Sequence, residues 1–254
     1  MLTLEGELRR ALLNDEFEPY FQPIRALGVA GMPVVGHEAL IRWNHPTRGV
    51  LAPGEFLKVA EDSSLIETID WRLYEHACWH LARCSAPDTF LTVNVSARHL
   101  RYIDFDERFL AMLERTGAAP ERLVVEVTEG ALLDNPERVR MTLEQLRAKG
   151  VGSALDDFGT GYSSLSYLHS LPLRILKIDR SFVDGLDKHG NTSSITVVEA
   201  ILALARALDI RVIAEGIETP TQRDVLLAMG CDMGQGFLLG RPAPCESPDA
   251  SDAA

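Results

Sequence analysis

Cysteine is scarce in this chain: four in 254 residues, Cys78, Cys84, Cys231 and Cys245, with no Cys-x-x-Cys pair among them. That argues against a dithiol redox motif or a cysteine-built zinc site, and it suits reduced thiols in a cytosolic compartment. Positive charge is also in short supply, with 37 acidic against 25 basic residues and a net charge of -12. The one basic cluster, Arg138, Arg140, Arg147 and Lys149, is interleaved with Glu137 and Glu144 and reads as a solvated helix face. A polynucleotide-binding surface is therefore not expected. No apolar run approaches the ~20 residues of a membrane-crossing helix. The N-terminal MLTLEGELRRALLNDEF carries Glu5, Glu7, Arg9 and Arg10 at helical spacing, an amphipathic helix rather than a signal peptide. Without a secretion signal, the sequons Asn94-Val95-Ser96 and Asn191-Thr192-Ser193 read as coincidence. There is no Pro/Gly/Ser-rich linker and no internal repeat, so no internal domain boundary is expected.

The composition is that of a globular chain, 46% hydrophobic and 24% charged. The expected organisation is a lead-in helix over 1–15, one domain over 16–246 and a small, acidic, disordered tail over 247–254. Short apolar runs alternate with helical patterns. The expected strands are 18–24, 33–43, 89–96, 122–129, 151–158, 173–179, 210–216 and 231–237. Helical periodicity marks 63–84, with Leu65, Ile66, Ile69, Leu73 and Ala77 on one face, and also 193–208. Asn135-Pro136 opens a helix that Gly150 stops, and Thr219-Pro220 opens another. About eight βα units in one domain of this length predict an α/β fold, a TIM-like (β/α)8 barrel; an open doubly wound sheet is the alternative. The start is irregular. Only Arg25 to Met32 separates the first two strands, too short for a helical crossover, so the first strand should run antiparallel to its neighbour.

In six of these strands the apolar run ends in a polar residue that a core would not choose: Glu38, Asn94, Glu126, Asp156 with Asp157, Lys177 and Glu215. Any one of them alone reads as a cap or turn residue. Six in phase are harder to explain so, because the C-terminal strand ends of a barrel converge on one mouth. Five carboxylates gathered there would repel and raise one another's pKa unless a cation joins them. Hard oxygen donors without Cys or His select Mg2+ or Mn2+, and five carboxylates exceed what one Mg2+ usually takes. Paired ions are the usual machinery of in-line phosphodiester hydrolysis. The rival is a barrel lyase or aldolase with Lys177 as a Schiff-base lysine, although neighbouring carboxylates should keep that lysine protonated. The segment Asp157 to Ser164, with Gly159 and Gly161, is expected to be a mobile loop at the mouth.

From about Glu18 to Pro244 the chain resembles the EAL-domain cyclic di-GMP phosphodiesterases. The motifs, in order, are FQPI (21–24), Glu38-Ala39-Leu40 within GHEALIRW, LAPGEF (51–56), NVSARHL (94–100), VVEVTE (124–129), ALDDFGTGYSSLSYL (154–168), LKIDRSF (176–182), AEGIET (214–219) and QGFLLGRP (235–242). The resemblance implies hydrolysis of cyclic di-GMP to linear pGpG with two divalent ions, Mg2+ or Mn2+. One ion would be held by Glu38, Asn94, Glu126 and Asp156, and Asp156 would bridge to a second held also by Asp157. Lys177 would orient the attacking water or a phosphate oxygen. Glu215 would be a general base or a partner of the metal ligands. Gln235 would hydrogen-bond near the ions, Leu40 and Arg42 would contact the nucleotide with Gln22 nearby, and Glu129 would anchor the 157–164 loop. A homodimer and a regulatory domain or partner protein are implied as well. Departures from the family pattern are small: His99 stands where Gln is frequent, and Ile217 where Val is. A receptor that binds without turnover, or an enzyme for another small nucleotide, remain the other readings.

Three features carry no function in this reading. His76 and His80, spaced for a metal on one helix beside Cys78, lack a second ligand cluster and are expected to face solvent. Trp43, Trp71 and Trp79 are too dispersed for a stacking platform, and His45-Pro46 is expected to be a turn.

Overall fold

The alternation of inward and outward side chains along short apolar strands produces a barrel whose inner face changes from apolar to polar within two residues. The computed structural model describes residues 3–83, 88–159, 168–187 and 192–245. The tail 247–254, the loop residues 160–164, Cys84 and Asn191 lie outside them.

The elements, in chain order, are α1 (Leu4–Leu13), β1 (Phe17–Ala26), β2 (Val34–His45), β3 (Gly49–Leu51), α2 (Leu57–Asp62), α3 (Ile66–Arg83), β4 (Phe90–Asn94), α4 (Ala97–Leu100) and α5 (Phe105–Thr116). There follow β5 (Leu123–Thr128), α6 (Glu129–Asp134), α7 (Pro136–Ala148), β6 (Gly152–Phe158), β7 (Ile175–Ile178), α8 (Arg180–Val183), α9 (Thr192–Ala207), β8 (Arg211–Ala214), α10 (Pro220–Ala228) and β9 (Met233–Gly234). Around the sheet the order is β1-β9-β8-β7-β6-β5-β4-β2-β3, and the pairing of β1 with β2 closes eight strands. Closure removes the open edge from these eight strands, and β3 hangs on β2 outside the ring. From β2 through β4 to β9 the barrel strands are parallel. β1 is antiparallel to both neighbours, as its short link to β2 requires for that side.

Local signals place the helix ends. Asn135 accepts from the Arg138 amide at the start of α7, with Pro136 at the first helical position. Thr219 and Gln222 form a capping box at α10. Val139, Leu143 and Leu146 of α7 bury one stripe against the barrel. α1 packs into the same core through Leu8 and Ala11. It is also tied to β2, where Trp43 Nε1 donates to Glu16 just beyond α1 at 2.9 Å.

Two hydrophobic clusters result among the described residues. The larger lies between strands and helices. The smaller fills the barrel floor with Ile24, Phe90, Val124, Ala154, Ile175, Ile213 and Met233, one from each barrel strand except β2. β2 offers Gly36 instead: a Cβ there would stand 2.7 Å from Phe90 Cζ, so the bare glycine is what lets that ring cross the barrel.

Several expectations need correction. The second strand, expected over 33–43, extends two residues further. β2 runs on past the mouth to His45 and pairs with β3, a short strand the sequence pattern did not reveal. His76 and His80 do not face solvent but are half-buried. The His80 ring packs on Phe21 with centroids 4.1 Å apart, and His76 stacks on Trp79. The reason is that α3 covers β1, which sets His80 against Phe21, while His76 lies against Trp79 of its own helix and 3.9 Å from Asp15. Trp43 is core, and the turn after His45 is present, with His45 Nδ1 accepting from the Thr47 and Arg48 amides.

Candidate active site

One step of the strand period above the apolar floor stand Glu38, Thr92, Glu126, Asp156, Lys177, Glu215 and Gln235, and on the reversed β1, Gln22. Lys177, 1% exposed, is the hub of this layer. Its Nζ lies 2.7 Å from Glu215 Oε1, 2.8 Å from Glu126 Oε2, 3.3 Å from Asp156 Oδ1 and 3.4 Å from Glu38 Oε2. Gln235 Nε2 donates to Glu38 Oε2 at 2.6 Å and to Glu215 Oε1 at 2.9 Å. Asn94 Nδ2 donates to Glu38 Oε1 at 2.8 Å.

Asp157 reaches the same place by a different route. Consecutive residues of a regular strand face opposite sides, but the β6–β7 register shifts between Leu155 and Phe158, and Asp157 sits at φ 55°. The bulge turns both carboxylates to the mouth. Oxygens of Asp156, Asp157 and Glu215 all lie within 4.8 Å of one another.

The electrostatics follow from burial and from an excess of negative charge. Burial opposes the charge on Lys177, yet Glu126, Glu215, Glu38 and Asp156 hold its pKa well above the usual lysine value. Burial, with Glu38 and Asp156 added, pushes Glu126 well above the carboxylate range against the pull of Lys177. Burial likewise raises Glu215, to about 8, with Asp156 and Glu38 contributing. Asp157 is raised by burial and then by Asp156 and Asp179. Glu38 moves the other way: burial is outweighed by Lys177 and by the hydrogen bonds from Gln235 and Asn94. One lysine does not neutralise this many acids.

These residues suit a hard divalent cation. Every donor is oxygen. Glu126 Oε1 and Gln235 Oε1 are buried with no hydrogen-bond partner, and the amide of Asn94, donating its nitrogen to Glu38, keeps its oxygen as an acceptor.

The other expected residues are more dispersed. Glu129, at the start of α6, accepts from the Gly159 amide at 3.3 Å and so ties down the chain just after Asp157. Gln22 Nε2 donates to Gly240 O at 3.2 Å. Leu40 and Arg42 share the Glu38 face of β2 further toward the hairpin. The Arg42 guanidinium bonds Ile41 O and lies 5.7 Å over the Tyr20 ring.

A cleft of 180 Å³ opens beside the cluster, lined by Gln22, Arg180, Glu215, Gln235 and Phe237 among others. Arg180 and Phe237 were not singled out from the sequence, although both lie in the quoted motifs. The sequence signal was the place of Phe237 directly after Gln235-Gly236; its exposure and the Arg241 guanidinium 4.1 Å over its ring are visible only in the fold. Thr92 was also missed, though the period from Phe90 points to it. Larger clefts of 350 and 560 Å³ flank α5 on the outer layer and contain none of the acidic cluster.

The family model described as the EAL domain matches residues 5–242. The chain belongs to the EAL domain family. Over 255 residues it is 40% identical to the bifunctional diguanylate cyclase/cyclic di-GMP phosphodiesterase MucR of Pseudomonas aeruginosa, covering 99% of this chain and 37% of that protein. With the cyclic di-GMP phosphodiesterase NbdA of the same organism identity is 41% over 248 residues, covering 96% of this chain and 31% of the relative. This EAL domain thus spans about a third of the curated relatives it matches. Among solved structures, the P. aeruginosa MucR phosphodiesterase in complex with c-di-GMP superposes with a TM-score of 0.89 at 39% identity, covering 96% of this chain and 98% of that one. No helix among the described residues of the EAL domain is long and apolar enough to cross a membrane.

Proposed function

We propose that this EAL domain hydrolyses cyclic di-GMP to linear pGpG using two divalent ions, Mg2+ or Mn2+. The observation that carries the reading is the buried ring of Glu38, Glu126, Asp156 and Glu215 around Lys177, with Asp157 and Asn94 beside it. Glu38, Asn94, Glu126 and Asp156 would hold one ion, and Asp156 and Asp157 the second. When bound, such ions lower the pKa of water and stabilise charge on phosphoryl oxygens.

The chain's own groups do the rest. Lys177 holds a phosphoryl oxygen or the attacking water through an ammonium that its carboxylate neighbours keep protonated. Glu215, oriented by Gln235 and Lys177, accepts the proton of the attacking water. That water's oxygen bonds to phosphorus as the P–O3′ bond breaks and O3′ takes a proton from solvent, leaving a 5′-phosphate and a 3′-hydroxyl. Gln22, Leu40 and Arg42 border the nucleotide, and Glu129 holds the chain after Asp157 in register with the site. The reading includes a homodimer, a cytoplasmic setting and control by a further domain or partner protein; MucR and NbdA are much longer than this chain.

The test is incubation of the purified chain with cyclic di-GMP and Mg2+ or Mn2+, with Glu38→Ala alongside. Metal-dependent pGpG that disappears in the variant is the expected result. Tight binding without turnover would make the domain a receptor. Neither binding nor turnover would reject the substrate.

A further inference from the structure

Behind the mouth, in the helical layer, a buried polar chain ends on one of the acidic cluster's own residues. Tyr74 of α3 is fully buried, and a buried phenol needs a partner. Its hydroxyl donates to the backbone oxygen of Asn94 at 3.1 Å. His99 of α4, 1% exposed, sets its Nδ1 3.2 Å from the same hydroxyl. Asn94 is the last residue of β4, so its carbonyl stands where the strand gives way to Ser96 and α4. On the other side of the strand its amide donates to Glu38 Oε1 at 2.8 Å. The two contacts clamp Asn94 from the helical layer and from the barrel interior. Trp71, Phe105 and Phe109 pack around the Tyr74–His99 pair, while Ser96 Oγ at 3.4 Å and Asp70 Oδ2 at 3.5 Å also face His99 Nδ1, both farther than the Tyr74 hydroxyl.

We infer that Tyr74, oriented by His99, is a positioning residue that fixes Asn94, and through it Glu38, for cation binding. The inference rests on the metal reading above. A tyrosine that merely filled the core would leave cation affinity untouched when its hydroxyl is removed. A positioning tyrosine would not, since groups behind a metal ligand typically shift affinity by about 10–100-fold.

The experiment measures Mn2+ affinity by electron paramagnetic resonance titration, and melting in EDTA, for wild type, Tyr74→Phe, His99→Leu, His99→Asn and Phe109→Leu. Tyr74→Phe and His99→Leu should weaken Mn2+ binding by about tenfold. His99→Asn puts an amide N–H close to the Nδ1 position and should bind nearly as wild type does. Phe109→Leu, which opens the same aromatic cluster, should lower the melting temperature without moving the affinity. Tyr74→Phe binding Mn2+ as tightly as wild type would overturn the inference. Unchanged binding in His99→Leu, or loss in Phe109→Leu equal to that in Tyr74→Phe, would also overturn it. A wild type that takes up no Mn2+ would overturn the metal reading and this inference with it.

Discussion

Replacing Lys177 by methionine keeps the buried apolar stem and deletes the only cation, among the described residues, within 3.4 Å of Glu38, Glu126, Asp156 and Glu215. Removing one partner of a buried ionic network costs about 3–5 kcal/mol, because the charges left behind are neither solvated nor paired. Here the carboxylates can respond by taking up protons, as the raised pKa values of Glu126 and Glu215 already show, so the lower end applies. For a domain of this size about 3 kcal/mol corresponds to about 6–12 °C in Tm. The loss should depend on pH with a definite sign. Glu215 has a folded pKa of about 8, above its ordinary 4.5, so its neutral form contributes stability that is lost as pH rises through 8. Without Lys177 the raised carboxylates move further up. The destabilisation of Lys177→Met should therefore be larger at pH 8.5 than at pH 5.5 (both chosen to bracket that value). Divalent ions would substitute for the missing charge, so Mg2+ should raise the Tm of Lys177→Met more than that of wild type. Scanning calorimetry in EDTA and in Mg2+ at both pH values measures all three effects. A variant that melts with wild type in EDTA, or shows the same deficit at both pH values, would refute the electrostatic account.

Three further outcomes follow from other parts of the barrel. Gly36→Val should destabilise by about 1–3 kcal/mol in urea titration, since a Cβ would meet the Phe90 ring at 2.7 Å; adding Phe90→Leu should recover part of it, and strict additivity would disprove the contact. Asp157→Gly keeps the left-handed backbone at φ 55° while deleting a carboxylate. It should melt near wild type yet lose about tenfold or more in pGpG formation, whereas Asp157→Val should lose both stability and activity. Asp70, raised to about 8 by burial and by Glu61 and Glu67, contributes stability as the neutral acid that falls as pH rises from about 4 to 8. Asp70→Asn should therefore raise Tm over wild type more at pH 8 than at pH 5, and an equal gain at both would contradict the shift.

Much of this architecture was present in local pattern. The link of residues 25–32 was too short for a crossover, and β1 does run antiparallel. Pro136, Thr219 and Pro220 marked helix starts that the capping bonds bear out. The acids at 38, 126, 156 and 215 broke apolar runs in phase, and because strand side chains alternate, that phase alone put them on the inner face. Other features had no local trace. The three residues of β3 form a strand only because β2 extends past the mouth to receive them. Asp157 shares the site with Asp156 through a bulge that depends on pairing with β7. Arg42, on the right face of β2, is drawn aside to Tyr20 and the backbone. Tyr74 carried no signal of its own, and His99 stood out only as a departure from the family pattern, until the packing of α3 and α4 behind β4 brought Tyr74 to Asn94 and His99 to Tyr74. The sequence by itself determined which residues face inward, since that needs only the period of each strand. Which of them meet, and that Lys177 stands among four carboxylates, was decided by closure of the barrel, because distances across it depend on pairings between strands far apart in the chain.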